Sequence, residues 1–115
     1  MKKYFLLLIL GYIIKNNLPA QSINSFTNNL INTNQVLFVK TSTYNSINAT
    51  MFLYERKNQN KSWKLIDSFA VVVGKNGLAK DVNANITFAD SAPIKHEGDG
   101  KSPAGIFPLG SVFSY

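Results

Sequence analysis

The chain has 115 residues, a formal net charge of +6 and no cysteine, which sizes it for a single domain and excludes a disulfide framework or thiol chemistry from its own residues. If Lys2, Lys3 and Lys15 depart with a leader, nine basic residues face six acids and the balance falls to +3. Lys57, Lys61 and Lys64 lie in one polar stretch, so the ordinary reading is a solvated surface and nucleic acid is not an expected partner.

Met1-Lys2-Lys3 followed by the apolar run Tyr4 to Ile14 has the form of a signal peptide, a basic head and a helical apolar core shorter than the roughly 20 residues of a membrane span. Ala20 before Gln21 is the expected cleavage point. Residues 1–20 are therefore assigned to the leader, and the protein is expected in the periplasm or cell envelope with no stable membrane span after cleavage. A buried N-terminal helix or an uncleaved anchor is the competing reading. Residues 21–34 form a polar segment in which Phe26, Leu30 and Ile31 have the spacing of a short amphipathic helix.

From residue 35 the pattern is that of strands. Val36-Leu37-Phe38-Val39 is a compact apolar run rich in β-branched residues, and Thr41 to Asn48 is turn material. Thr50 to Arg56 alternates Met51, Leu53 and Glu55 with Phe52, Tyr54 and Arg56, so both faces are partly apolar, as in a sandwich. Asn58-Gln59-Asn60-Lys61 has the composition of a hairpin loop, after which Trp63 to Val73 returns as a long, bent strand. The apolar run Ala70 to Val73 marks that strand as central. Lys75-Asn76-Gly77 predicts a tight turn with positive φ, the strongest local hairpin signal in the chain. Asp81 to Ala92 gives no clear pattern; Ile86 and Phe88 are its inward candidates. Asp81, Asn83 and Asn85 imitate the opening of a calcium loop, but Ile86 stands where the loop needs glycine and Ala92 where it needs glutamate, so no metal is assigned.

Lys95 to Gly110 holds four of the seven glycines and two of the four prolines. Gly98 and Gly100 flank Asp99 in a spacing that predicts a tight loop with positive φ. Ser102-Pro103-Ala104-Gly105 reads as a turn feeding a short strand from Ile106 to Leu109, placed at an edge or bulge by Pro108, with Phe107 and Leu109 on one face. Gly100-Lys101-Ser102 imitates the end of a phosphate-binding loop. The glycine required five positions earlier is Lys95, however, and Pro103 opposes the helix that should follow, so no nucleotide site is expected. Gly98-x-Gly100 lacks the third glycine of a dinucleotide fingerprint, and no cofactor is assigned.

The run Lys95-His96-Glu97-Gly98-Asp99-Gly100-Lys101-Ser102-Pro103-Ala104-Gly105-Ile106-Phe107-Pro108-Leu109-Gly110 resembles a segment of the L,D-transpeptidase catalytic-domain family, the YkuD-like proteins. Val73-Gly74-Lys75-Asn76-Gly77-Leu78 is similar to the run that precedes it in one branch, and Phe113-Ser114-Tyr115 looks like that branch's Phe-Gly-Tyr. The resemblance covers about Trp63 to Tyr115. It implies a mainly β fold in which residues 35–115 are the N-terminal part of an L,D-transpeptidase-like β-sandwich.

In that family a cysteine attacks a peptidoglycan stem peptide and passes the acyl group to an amine, which requires a thiolate, a nearby histidine and amide donors for the oxyanion. The family's histidine and glycine-cysteine segment lies well after the glycine-rich stretch and is not found up to Tyr115. No catalytic residue is assigned, and this chain alone is expected to be inactive. Unpaired sheet edges would also make it prone to aggregate.

Lys95, Glu97, Asp99, Lys101 and Ser102 are the candidate contacts to a stem peptide, through an alternating-sign loop suited to zwitterionic or carboxylate groups. The same charges suit a self-satisfied turn. His96, the single histidine, is expected at the surface. Two other classes stay open: a non-catalytic secreted module that binds cell-wall peptide, and a generic secreted structural β-protein.

Overall fold

The structure, a computed structural model, describes residues 2–9, 30–83, 88 and 91–109. Its strands are β1 (Lys2–Ile9), β2 (Thr33–Thr41), β3 (Asn48–Glu55), β4 (Lys64–Val72), β5 (Leu78–Lys80) and β6 (Ser102–Pro108). They form one mixed six-stranded sheet in the order β4-β3-β2-β1-β6-β5. The fold is mainly β, and no helix of the described residues is long and apolar enough to cross a membrane.

Strands β2, β3 and β4 form an antiparallel meander, of which the β3–β4 pair is the hairpin expected across Asn58–Lys61. Val36 pairs with Tyr54, Phe38 with Phe52 and Val39 with Met51. Because neighbouring residues point to opposite faces, Val36, Phe38 and Tyr54 join Leu30 in one buried cluster while Val39 and Ala49 join Leu78 and Ala104 in another. Phe88 packs against both clusters; its expected companion Ile86 lies outside the described residues. The Asn58–Lys61 turn closes through the Lys61 amide on the Asn58 carbonyl at 3.1 Å. Across the pair, the register shifts where Leu53 faces Asp67 and Tyr54 faces Leu65, leaving Ile66 of the returning strand without an opposite residue.

Arg56 locks the start of the meander. Its guanidinium donates to the Thr33 and Leu30 carbonyls, each at 2.8 Å, and lies 4.3 Å from the Trp63 ring centroid. The cation thus satisfies two backbone acceptors and sits against a π face at once. Leu30 is buried and Ile31 exposed; residues 10–29, which include the rest of the expected amphipathic helix and the cleavage point, lie outside the described residues.

Four expectations change. Lys2–Ile9, assigned to a signal-peptide helix, is a strand, parallel to β2 and antiparallel to β6. A continuous apolar run carries no periodicity to separate helix from strand, and here backbone partners on both sides select the strand. Ala70 to Val73 does not mark a central strand, because β4 is an edge of the sheet and Val72 is 72% exposed. The turn at Lys75-Asn76-Gly77 forms, with the Gly77 amide on the Gly74 carbonyl at 2.8 Å, but it is no hairpin. It carries the chain from β4 at one edge to β5 at the other.

Finally, Ser102-Pro103-Ala104-Gly105 is extended within β6. The Ser102 amide donates to the Gly77 carbonyl on the β5 side, so alternation turns the nitrogen of Pro103 toward β1, before the β1 ladder begins at Gly105. The nitrogen of Pro108 turns toward β5, past the last pair at Ala104. Both prolines occupy strand positions where no ladder donor is needed, which is how β6 lies inside the sheet.

Candidate functional site

The glycine-rich loop between Ile94, which bridges to Lys80 in parallel, and β6 is organised by one carboxylate. Asp99 Oδ1 accepts from Lys95 Nζ at 2.6 Å and from the Lys101 amide at 2.8 Å, while Oδ2 accepts from the His96 amide at 2.8 Å. The Lys95 ammonium, with help from the His96 and Lys101 amides, holds the Asp99 carboxyl well below the usual carboxylate range. Charge-assisted bonds of this kind are short and favour the ionised form. The chain can wrap around the carboxylate because Gly98 and Gly100 adopt φ of 75° and 69°, the left-handed geometry expected from their spacing.

A second set of bonds clips the loop to the turn after β4. Asn76 Nδ2 donates to the Asp99 carbonyl at 2.8 Å, the Asn76 amide to the Gly100 carbonyl at 2.9 Å, and Lys101 Nζ to the Asn76 carbonyl at 2.6 Å. The Gly74 amide donates to Ser102 Oγ at 2.8 Å. A β-carbon on Gly74 would stand 2.6 Å from the Gly100 carbonyl oxygen, so the two loops approach as closely as their backbones allow. The Lys95 amide, donating to the Lys80 carbonyl at 3.0 Å, ties the loop's entrance to β5.

The structure brings all five sequence-derived site residues into this one assembly and gives them different tasks. Lys95, Asp99, Lys101 and Ser102 bond within the loop or to the clip. Glu97 is exposed at the tip and its carboxylate has no hydrogen bond among the described residues. Ser102 Oγ is engaged as an acceptor from a backbone amide, whereas a serine nucleophile needs a base on its proton. The His96 side chain lies on the exposed tip, and it is the His96 backbone that serves the loop.

Sequence reasoning missed the partners of the loop, Gly74 and Asn76. Their signal was present, since asparagine and two glycines mark a turn, but it pointed to a hairpin when the turn's function is to grip another loop. Phe107 and Leu109, expected on one face, line with Val39, Met51, Val73 and Ser102 an apolar cleft of about 370 Å³ that opens where the loop enters β6. The site thus joins a preformed charged rim to an apolar trough, an arrangement that can bind and orient a mixed polar and apolar ligand.

No protein-family model, curated protein or solved structure matches this chain.

Proposed function

We propose that this chain is the N-terminal part of an exported L,D-transpeptidase-like β-sandwich protein of peptidoglycan cross-linking or remodelling, and that its Lys95–Lys101 loop meets the charged ends of a stem peptide. The observation that carries the reading is the loop itself. A rim of alternating charge, prefolded around Asp99 and set beside an apolar cleft, coincides with the residues that resemble the family's glycine-rich segment.

In this reading Lys95, Asp99, Lys101 and Ser102 keep the rim in shape, and Glu97 is the side chain left to pair with an ammonium group of the ligand. Preformed geometry lowers the ordering cost of binding. Acyl transfer by the family's chemistry would require a thiolate, and this sequence has no cysteine, so in this reading these residues bind and orient.

Titration with a tetrapeptide stem, followed by amide chemical shifts, tests the proposal. Saturable shifts at Glu97, Gly98 and Phe107 are expected, and Glu97→Gln should weaken binding by about tenfold, within the range of one charged hydrogen bond. Absence of any shift in this region sinks it. The second reading, a non-catalytic secreted module for cell-wall peptide, is favoured by the absence of cysteine from the sequence. A reading frame that encodes a histidine and a glycine-cysteine pair after Tyr115 would decide for the enzyme.

A further inference from the structure

Strand β1 occupies the middle of the sheet, yet its residues are those that the export reading removes. It pairs with β2 in parallel up to Ile9↔Thr41 and with β6 in antiparallel from Tyr4↔Pro108 to Leu7↔Gly105, and β2 and β6 meet only across it. Without β1, two backbone edges would face each other across about 9–10 Å, twice the spacing of paired strands. Their amides and carbonyls lie in mid-sheet, where an unpaired polar group is costly.

Such a gap selects its filling. Only an extended segment bonds to both edges, one running parallel to β2 and antiparallel to β6. It must be apolar, because Val36, Phe38 and Ile106 flank the gap on one face and Val39 and Phe107 on the other, all buried or half-buried. Proline inside it would remove a ladder donor. Tyr4 to Ile9 meets each requirement: six residues, all apolar or aromatic, without proline.

We propose that the slot between β2 and β6 is a strand-binding site whose ligand is an extended, apolar, proline-free polypeptide segment of about the length of β1, and that β1 is its occupant until the leader is cut away. The vacating step rests on the export reading; the binding step does not.

The test uses the full 115-residue chain, unaltered and with Leu6→Pro, and a fluorescent synthetic peptide of residues 2–9. The substitution should strip β2 and β6 of their amide-exchange protection. The peptide should then bind the variant one to one and restore that protection, at least about tenfold more tightly than it binds the unaltered chain, whose tethered strand competes at high effective concentration. A peptide carrying the same Leu6→Pro change should bind neither.

If Leu6→Pro unfolds the chain, refolding by the peptide is the readout, and failure to refold counts against the site. Equal binding to both chains, binding to neither, or pairing of two copies in place of peptide uptake would overturn the proposal. So would unchanged protection in the variant. N-terminal sequencing of the exported protein decides the leader separately: an intact Met1 removes the vacating step and leaves the slot, whereas cleavage after Ala20 without peptide binding removes the slot and leaves export.

Discussion

The two edges of the sheet are finished in opposite ways. At β5 the edge strand has three residues, and the following chain bonds to it: the Lys80 amide donates to the Pro93 carbonyl and the Lys80 carbonyl accepts from the Lys95 amide. At β4 the edge is nine residues long, with Leu65, Ile66, Phe69 and Val72 all exposed. Short, covered edges resist pairing with another chain, and long apolar ones invite it. Polar bonding and glycine geometry define the loop end, while β4 takes its backbone partners from β3 alone among the described strands and is otherwise held by packing of Val71.

The largest effect should come from the turn behind the loop. Gly77 has φ of 89°, and a β-carbon there would stand 2.0 Å from the Tyr44 carbonyl oxygen, so Gly77→Ala should cost about 3 kcal/mol or more in urea unfolding. Gly98 has φ of 75° with open space around its would-be β-carbon, and Gly98→Ala should cost only about 1 kcal/mol. Equal costs would show that backbone angle, and not close approach, dominates this end.

Next is the alkaline limit. Tyr54 is fully buried on β3, and burial pushes its phenol up to about 12. A raised pKa in the folded state means that the contribution is complete below the unfolded value of about 10 and is lost as pH rises toward 12. Stability should fall by about 2 kcal/mol across that window, and Tyr54→Phe should flatten the fall.

Asp99 gives the opposite sign. Its pKa is depressed, so its contribution is whole above the unfolded value of about 3.9 and is lost as pH falls below it. Protection factors of the His96 and Lys101 amides should fall in acid, and Asp99→Asn should leave both low at every pH. Protection at β4 should stay unaltered by that change if the two edges are independent. The smallest effect belongs to Val72→Lys: unfolding free energy within about 0.5 kcal/mol of the parent, but slower self-association by light scattering, because a charge blunts an open edge.

Alternation in Thr50 to Arg56 and the asparagine-rich turn at Asn58–Lys61 were enough to read the β3-β4 hairpin, because antiparallel neighbours joined by short turns are local. The positive φ of Gly98 and Gly100 was also legible, since few residues other than glycine tolerate it. The strand state of Lys2–Ile9 and the place of β6 beside it were not, since both depend on partners distant in sequence. Pro103 misled for a related reason: whether proline ends a strand depends on whether its nitrogen faces a neighbour, and that is a property of the sheet. At the candidate site the sequence grouped the charged residues of one loop and did not show that Asp99 would draw most of them inward, leaving Glu97 outside.

The pairing of Leu6 with Ile106 joins residues a hundred positions apart. During synthesis the meander of β2, β3 and β4 can assemble while β6 is still to be made, so the sheet closes through its centre last. Closing so large a span is entropically costly before any contact rewards it. Refolding from urea should therefore show early protection of the meander and a slow final phase in which the middle of the sheet becomes ordered.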